Sequence, residues 1–160
     1  MSAARVHHAF LWLGESPIGH AMRVGLLPVP IAAIAHLVGL ALLGGSTLLV
    51  SFSVWGVVVR QPTATRVAKE LWPFALGGLA LTIVTGVLLV SANAQYYYDN
   101  TVFWVKLALL IPATAVSLIL HRHLRRAGEA PATLRWKVVG AANLLLWTSV
   151  AVAGRAIGLL

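Results

Sequence analysis

Apolar residues run almost without interruption through four stretches of this chain, residues 31–59, 72–92, 102–120 and 138–160. A helix needs about 20 such residues to cross a hydrocarbon core of roughly 30 Å, so each stretch predicts a membrane-spanning helix. The short loops between them force antiparallel neighbours. The predicted fold is all-α: an integral membrane, up-down four-helix bundle over residues 30–160. Residues 1–29 precede it as an N-terminal interfacial segment. There Ser16 and Pro17 read as the N-cap and first-turn residue of a short helix. His20 and Arg23 share one side of that helix, while Ile18, Met22, Leu26 and Leu27 fall largely on the other. This predicts a short interfacial helix lying on the membrane surface, after which Pro28 and Pro30 turn the chain into the bilayer. The apolar stretch around Phe10–Leu13 is too short for a signal peptide and is interrupted by Glu15, Ser16 and Pro17.

Small residues recur inside the spans: Gly39, Gly44, Gly45 and Ser46 in the first, Gly77, Gly78 and Gly86 in the second, and Gly140, Ala141 and Ala142 in the fourth. They predict close approach of helix backbones. Pro112 predicts a kink in the third helix. Trp55, Trp72, Trp104 and Trp136, with Tyr96, Tyr97 and Tyr98, sit near run ends, as an aromatic belt would.

Composition agrees. The chain is 59% hydrophobic and 10% charged, against roughly 25% charged in a soluble domain. Its net charge of +8 does not predict a nucleic-acid partner, because the cations lie in loops between spans and form no soluble basic face. The absence of cysteine excludes disulfides, Fe–S clusters, thiolate metal sites, covalent c-type haem and thiol catalysis.

The loop cations also orient the bundle. Arg60, Arg66 and Lys69 follow the first run, and Arg122, Arg125, Arg126, Arg135 and Lys137 follow the third. The 93–101 loop has only Asp99, and the N-terminal segment only Arg5 and Arg23. The first and third loops are therefore expected in the cytoplasm, with both termini and the 93–101 loop outside.

Three ionisable residues stand inside the runs: His36, Lys106 and Arg155. Such residues in lipid mark a functional site by default. At ~1.5 Å rise per residue all three fall within about 10 Å of the outer surface. One imidazole and two cations at one level suit an anionic or carboxylated cofactor, and haem b fits: His36 as metal ligand, Lys106 and Arg155 as propionate partners. The nearest second ligand is His20, with His7 or His8 behind it; a five-coordinate haem needs none. The plain alternative is that Lys106 and Arg155 snorkel to lipid phosphate and His36 bonds a neighbouring helix. On the third helix Lys106, Ala113, Ser117 and His121 form a narrow stripe, with Thr114 beside it, expected to face the interior. His121 ends the stripe near the opposite membrane face, so it cannot share an iron with His36; a second haem there would have only His123, on another helix face, to offer. No Ser/His/Asp set, paired carboxylates, P-loop or Rossmann glycines are present.

His36-Leu-Val-Gly39-Leu-Ala-Leu-Leu-Gly44-Gly45-Ser46, then Asn100-Thr-Val-Phe103-Trp104-Val-Lys106, His121-Arg122, Trp147 and Ala153-Gly154-Arg155 resemble, in order and spacing, a family of small bacterial four-helix membrane proteins of unknown function. The resemblance implies the fold and the bacterial inner membrane, but no activity. His36, Lys106 and His121 also resemble the first-helix His and the third-helix Lys and His of the membrane haem-binding protoporphyrinogen oxidases. The acidic motif of that family's fourth helix is replaced by Asn143-Leu-Leu-Leu, so this fainter likeness does not carry the oxidase reaction over and leaves haem binding open. A fainter likeness is to copper-resistance D type membrane proteins, although two Met and no Cys are few for copper handling.

The leading expectation is thus an inner-membrane haem b protein that serves electron transfer from the outer leaflet. A quinone near Tyr97 or Trp104, or another membrane redox protein, would be its partner. The alternative is a cofactor-free accessory or structural subunit of a larger membrane complex. A small-solute permease would need a continuous polar path, of which only the third-helix stripe gives a hint.

Overall fold

The computed structural model describes residues 3–57, 64–126 and 133–157. Every regular element among them is a helix: α1 (Ala3–Glu15), α2 (Pro17–Val24), α3 (Pro28–Trp55), α4 (Ala64–Ala92), α5 (Ala94–Asp99), α6 (Thr101–Arg126) and α7 (Leu134–Ala156). The four long ones, α3, α4, α6 and α7, are each apolar and long enough to cross a membrane. Helix α3 packs on α4 and α7, and α6 packs on α7 and α4, so the order round the bundle is α3, α4, α6, α7. The protein is a multi-pass membrane protein of the expected four-helix class. Large apolar side chains such as Ile111 (73% exposed) and Leu145 (70% exposed) face outward because lipid, not water, is the solvent there.

The ends of the spans differ from the hydropathy reading, each for a local reason. Helix α3 stops at Trp55 because Gly56 takes the left-handed conformation (φ +70°) and its N–H closes on the Ser53 carbonyl at 3.1 Å. Helix α4 begins at Ala64, eight residues before the apolar run, because Arg66 and Glu70 form an i, i+4 ion pair at 2.9 Å that suits a solvated first turn. Helix α6 continues through Pro112 and past the run to Arg126. Residues 58–59 of the first predicted run, Arg60 in the loop, and 158–160 of the fourth run lie outside the described residues.

The N-terminal segment holds two helices rather than one. Ser16 caps α2 as expected, accepting from the Gly19 N–H at 3.1 Å, with Pro17 in the first turn. Helix α1 was not among the expected elements. Phe10 on it packs against Tyr98, Phe103 and Trp104, and His7 against Tyr98, so aromatic contacts across elements hold it. Arg23 binds the corner, donating to the Gly14 carbonyl at 2.7 Å and the Ser91 carbonyl at 3.4 Å. Asn100 starts α6 by accepting from the N–H groups of Val102 and Phe103 at 3.0 and 3.2 Å. Helices α1, α2 and α5 thus cap one end of the bundle; the opposite, basic end carries Arg66, Lys69, Arg122, Arg125 and Arg126. Burial in this cap pushes the Tyr97 hydroxyl above its ordinary titration range, with Tyr96 adding to it.

Two apolar layers fill the bundle. Leu43, Ala75, Ala113, Trp147 and Val150 form one, and Val50, Val54, Ala68, Leu120 and Leu124 the other, nearer the basic end. Helices α3 and α4 meet backbone to backbone at Gly39 and Gly78. A Cβ on Gly78 would lie 2.6 Å from the Leu43 nitrogen and 2.8 Å from the Gly39 carbonyl oxygen. Gly44, Gly45 and Gly77 would meet nothing within 4 Å. Of the glycines expected to bring backbones together, then, only some do so. Exposed hydroxyls on α7 bond their own helix: Thr148, which lines a groove against α3, donates to the Leu144 carbonyl and Ser149 to the Leu145 carbonyl, both at 2.9 Å.

Gly78→Ala should force α3 and α4 apart and cost about 1–3 kcal/mol, as overpacking does. Gly77→Ala should stay within about 0.5 kcal/mol of wild type. Thermal denaturation of the two variants in one detergent checks the pair. The raised Tyr97 titration implies a stability contribution that is complete below about pH 10, the ordinary tyrosine value. It should be lost as pH rises through the higher folded value, because the unfolded hydroxyl releases its proton first. Alkaline unfolding of wild type against Tyr97→Phe, followed by tyrosinate absorbance, measures it; the variant should resist higher pH.

Candidate functional site

His36 stands on α3 about two turns from the capped end, Lys106 on α6 within its second turn, and Arg155 near the end of α7. The bundle topology carries all three to one level, and the structure brings them to one groove of about 620 Å³. Leu40, Gly44 and Trp147 line its deeper part. The groove follows α3 from His36 to Leu48, about 18 Å at helical rise. It is polar at the capped end and apolar toward the bilayer middle.

At the polar end His36 is held in place through Thr85. Thr85 on α4 donates its hydroxyl proton to the Leu81 carbonyl at 2.6 Å. At its 2.9 Å contact with His36 Nδ1 the same oxygen therefore accepts, which puts the ring proton on Nδ1 and leaves the Nε2 lone pair for a ligand. The Nδ1–Cε1 edge of the ring lies over Gly86, where a Cβ would come 3.3 Å from Cε1. Lys106 extends across Gly154, with Nζ 3.6 Å from where a Cβ there would be. No ion pair with Lys106 or Arg155 is present among the described residues. Gly44 leaves the groove open, with nothing within 4 Å of a Cβ built on it.

His20, the expected second ligand, is exposed on α2 and does not line this groove. His7 is against Tyr98 and His8 is exposed. The groove therefore offers one imidazole. His121 is far from it, buried toward the basic end, where Trp72 packs at 5.7 Å and Arg125 lies 4.9 Å over the same indole. Trp72 thus serves the interior rather than a run end. His123 is on another face, stacked 3.5 Å from Trp136. No group of three metal-ligating side chains occurs among the described residues.

The α6 stripe does face the interior: Ala113, Ser117 and His121 are all buried. Its partners could not be read from α6 alone. Ser117 Oγ lies 2.8 Å from both the Ala113 carbonyl and Asn143 Oδ1, and accepts from the Trp147 indole N–H at 2.8 Å. Asn143 in turn donates to Ser51 Oγ at 3.0 Å. This polar layer ties α3, α6 and α7 together, and Trp147 is shared between it and the groove. Asn143, fully buried, was visible in the sequence as the one amide in the fourth run; Ser51 and Thr85 carried no signal beyond being small and polar.

The fold and the groove define the class: a small four-helix membrane bundle with an imidazole and two cations at one end of a lipid-depth groove. Within that class, a family of unknown function (DUF6644) matches residues 10–160, and the chain belongs to it. No curated protein and no solved structure matches.

Ser117→Ala should leave the Trp147 N–H and Asn143 without their shared partner and cost about 1–3 kcal/mol. A shift in Trp147 emission should accompany the lower melting temperature. Ser149→Ala, whose hydroxyl bonds only its own helix, should leave both nearly unchanged.

Proposed function

We propose that this protein binds haem b in the groove, at outer-leaflet depth in a bacterial inner membrane, and serves electron transfer. The observation that carries the reading is the convergence of His36, Lys106 and Arg155 on one groove. The donor set suits the group. His36 presents Nε2 because Thr85 holds Nδ1, and Lys106 and Arg155 supply cations for two carboxylates. The groove volume falls in the range of cofactor sites, roughly 300–1,000 Å³. Haem bound there would supply one-electron chemistry. The chain's own part is to ligate through a single imidazole, to orient the carboxylates toward the capped end, and to exclude water with Leu40, Leu48 and Trp147. The basic end, with Arg66, Lys69, Arg122, Arg125 and Arg126, faces the cytoplasm on the positive-inside rule. A quinone or membrane redox protein is the electron partner this reading implies.

Absorption spectra of detergent-purified protein, oxidised and reduced, test the proposal. Wild type from haem-replete cells should show a Soret band and reduced α/β bands, and His36→Ala should lose them. Lys106→Met and Arg155→Leu should each weaken haem affinity by about ten- to a hundredfold, the value of a charged hydrogen bond. Gly44→Phe, which fills open space, should block loading while leaving the bundle folded. A colourless wild-type protein would refute haem binding and turn attention to an accessory subunit of a larger complex.

A further inference from the structure

Every described residue that lines the groove belongs to a spanning helix, α3, α6 or α7. Part of the lining is buried: Trp147 is 6% and Val150 2% exposed. The rest is not. Leu37 is 65% and Leu48 38% exposed on α3, and Thr148 and Ala151 on α7 are exposed as well. The groove is therefore a furrow between α3 and α7 that opens out of the bundle along the side of the span. At that depth the surrounding medium is lipid.

The charges of the lining say which lipid-phase molecules match it. His36, Lys106 and Arg155 are its ionisable residues, and no carboxylate is among them. Lys106 reaches in from α6 across Gly154. Two cations at the capped end suit an acid head, and the stretch from Leu40 to Leu48 suits an apolar body. An amphiphile in the leaflet at the capped end already has this orientation, head toward the cap and body toward the bilayer middle. It meets the groove sideways, at its own depth. From the other leaflet its charged head would have to cross the hydrocarbon core. From water its apolar body would have to travel exposed.

We propose that the groove is a side port: its ligand is an acid-headed amphiphile dissolved in the leaflet at the capped end, and it enters and leaves between α3 and α7. This rests on the groove being the ligand site, as in the haem reading, and adds the route. Haem, with two carboxylates on one edge of an apolar ring, is one member of the class, so a colourless protein leaves the side port standing.

Nitroxide labels on the full chain in phosphatidylcholine vesicles test the route. The chain has no cysteine, so Leu40→Cys and Gly44→Cys each give a single label in the groove. Gly77→Cys is the lipid-facing reference at the same level, since its neighbour Gly78 meets Leu43; Leu26→Cys, 94% exposed at the α2–α3 corner, is the reference near the surface. Both groove labels should collide with oxygen about as often as the Gly77 label and hardly at all with a water-soluble nickel chelate. Collision with the chelate at the Leu26 level would mean a water-filled groove, and collision with neither a closed one; either overturns the proposal. The ligand class is tested with nitroxide-labelled stearic acid and protein from haem-deficient cells. Its motionally restricted fraction should exceed that of labelled stearyl alcohol, and the excess should vanish when Lys106→Met and Arg155→Leu are combined. Equal fractions for acid and alcohol, or an excess that survives the double variant, would overturn it.

Discussion

Close contact between the α3 and α4 backbones sets the geometry of everything else. With no side chain at Gly39 or Gly78 the two helices touch over their peptide groups. That contact gains dispersion and avoids ordering long side chains, which matters where lipid supplies no hydrophobic drive between helices. It also places Thr85 and Gly86 of α4 against His36 of α3. The orientation of the one imidazole at the groove is therefore a consequence of helix packing several ångströms deeper in the bundle.

The four spans and the coincidence of three ionisable residues at one depth were legible because they depend on hydropathy, helical rise and antiparallel order, all local or arithmetical. The cap at Ser16 was legible for the same reason. Helix α1 was not, since its apolar residues find partners only when α5 and α6 arrive: Phe10 needs Tyr98, Phe103 and Trp104. The ends of α4 and α6 extended beyond the apolar runs because charged residues make good solvated helix turns, and hydropathy counts them as loop. His20 shared a helix face with Arg23, but Arg23 turned to backbone carbonyls and His20 to the surface, which only the packing of α2 on α4 decides.

The interior shows two ways of accommodating polarity in lipid. Where α7 is exposed, Thr148 and Ser149 bond carbonyls of their own helix and so need nothing from neighbours. Inside, Ser51, Ser117, Asn143 and Trp147 satisfy one another across three helices. The second arrangement fixes relative rotation as well as satisfying donors, because each bond has one geometry. The same layer borders the groove through Trp147, so a hydrogen-bond layer that crosses three helices stands behind one wall of it.

The anchor of the N-terminal corner has a different consequence. Arg23 grips two main-chain oxygens, those of Gly14 and Ser91, and every residue type supplies a main-chain oxygen. The acceptors are thus immune to point mutation as hydrogen-bonding groups, and the whole burden of the clamp rests on a single codon. Related chains can drift at the helix ends the clamp joins, within the space available to their side chains, while the corner keeps its shape for as long as the arginine stays.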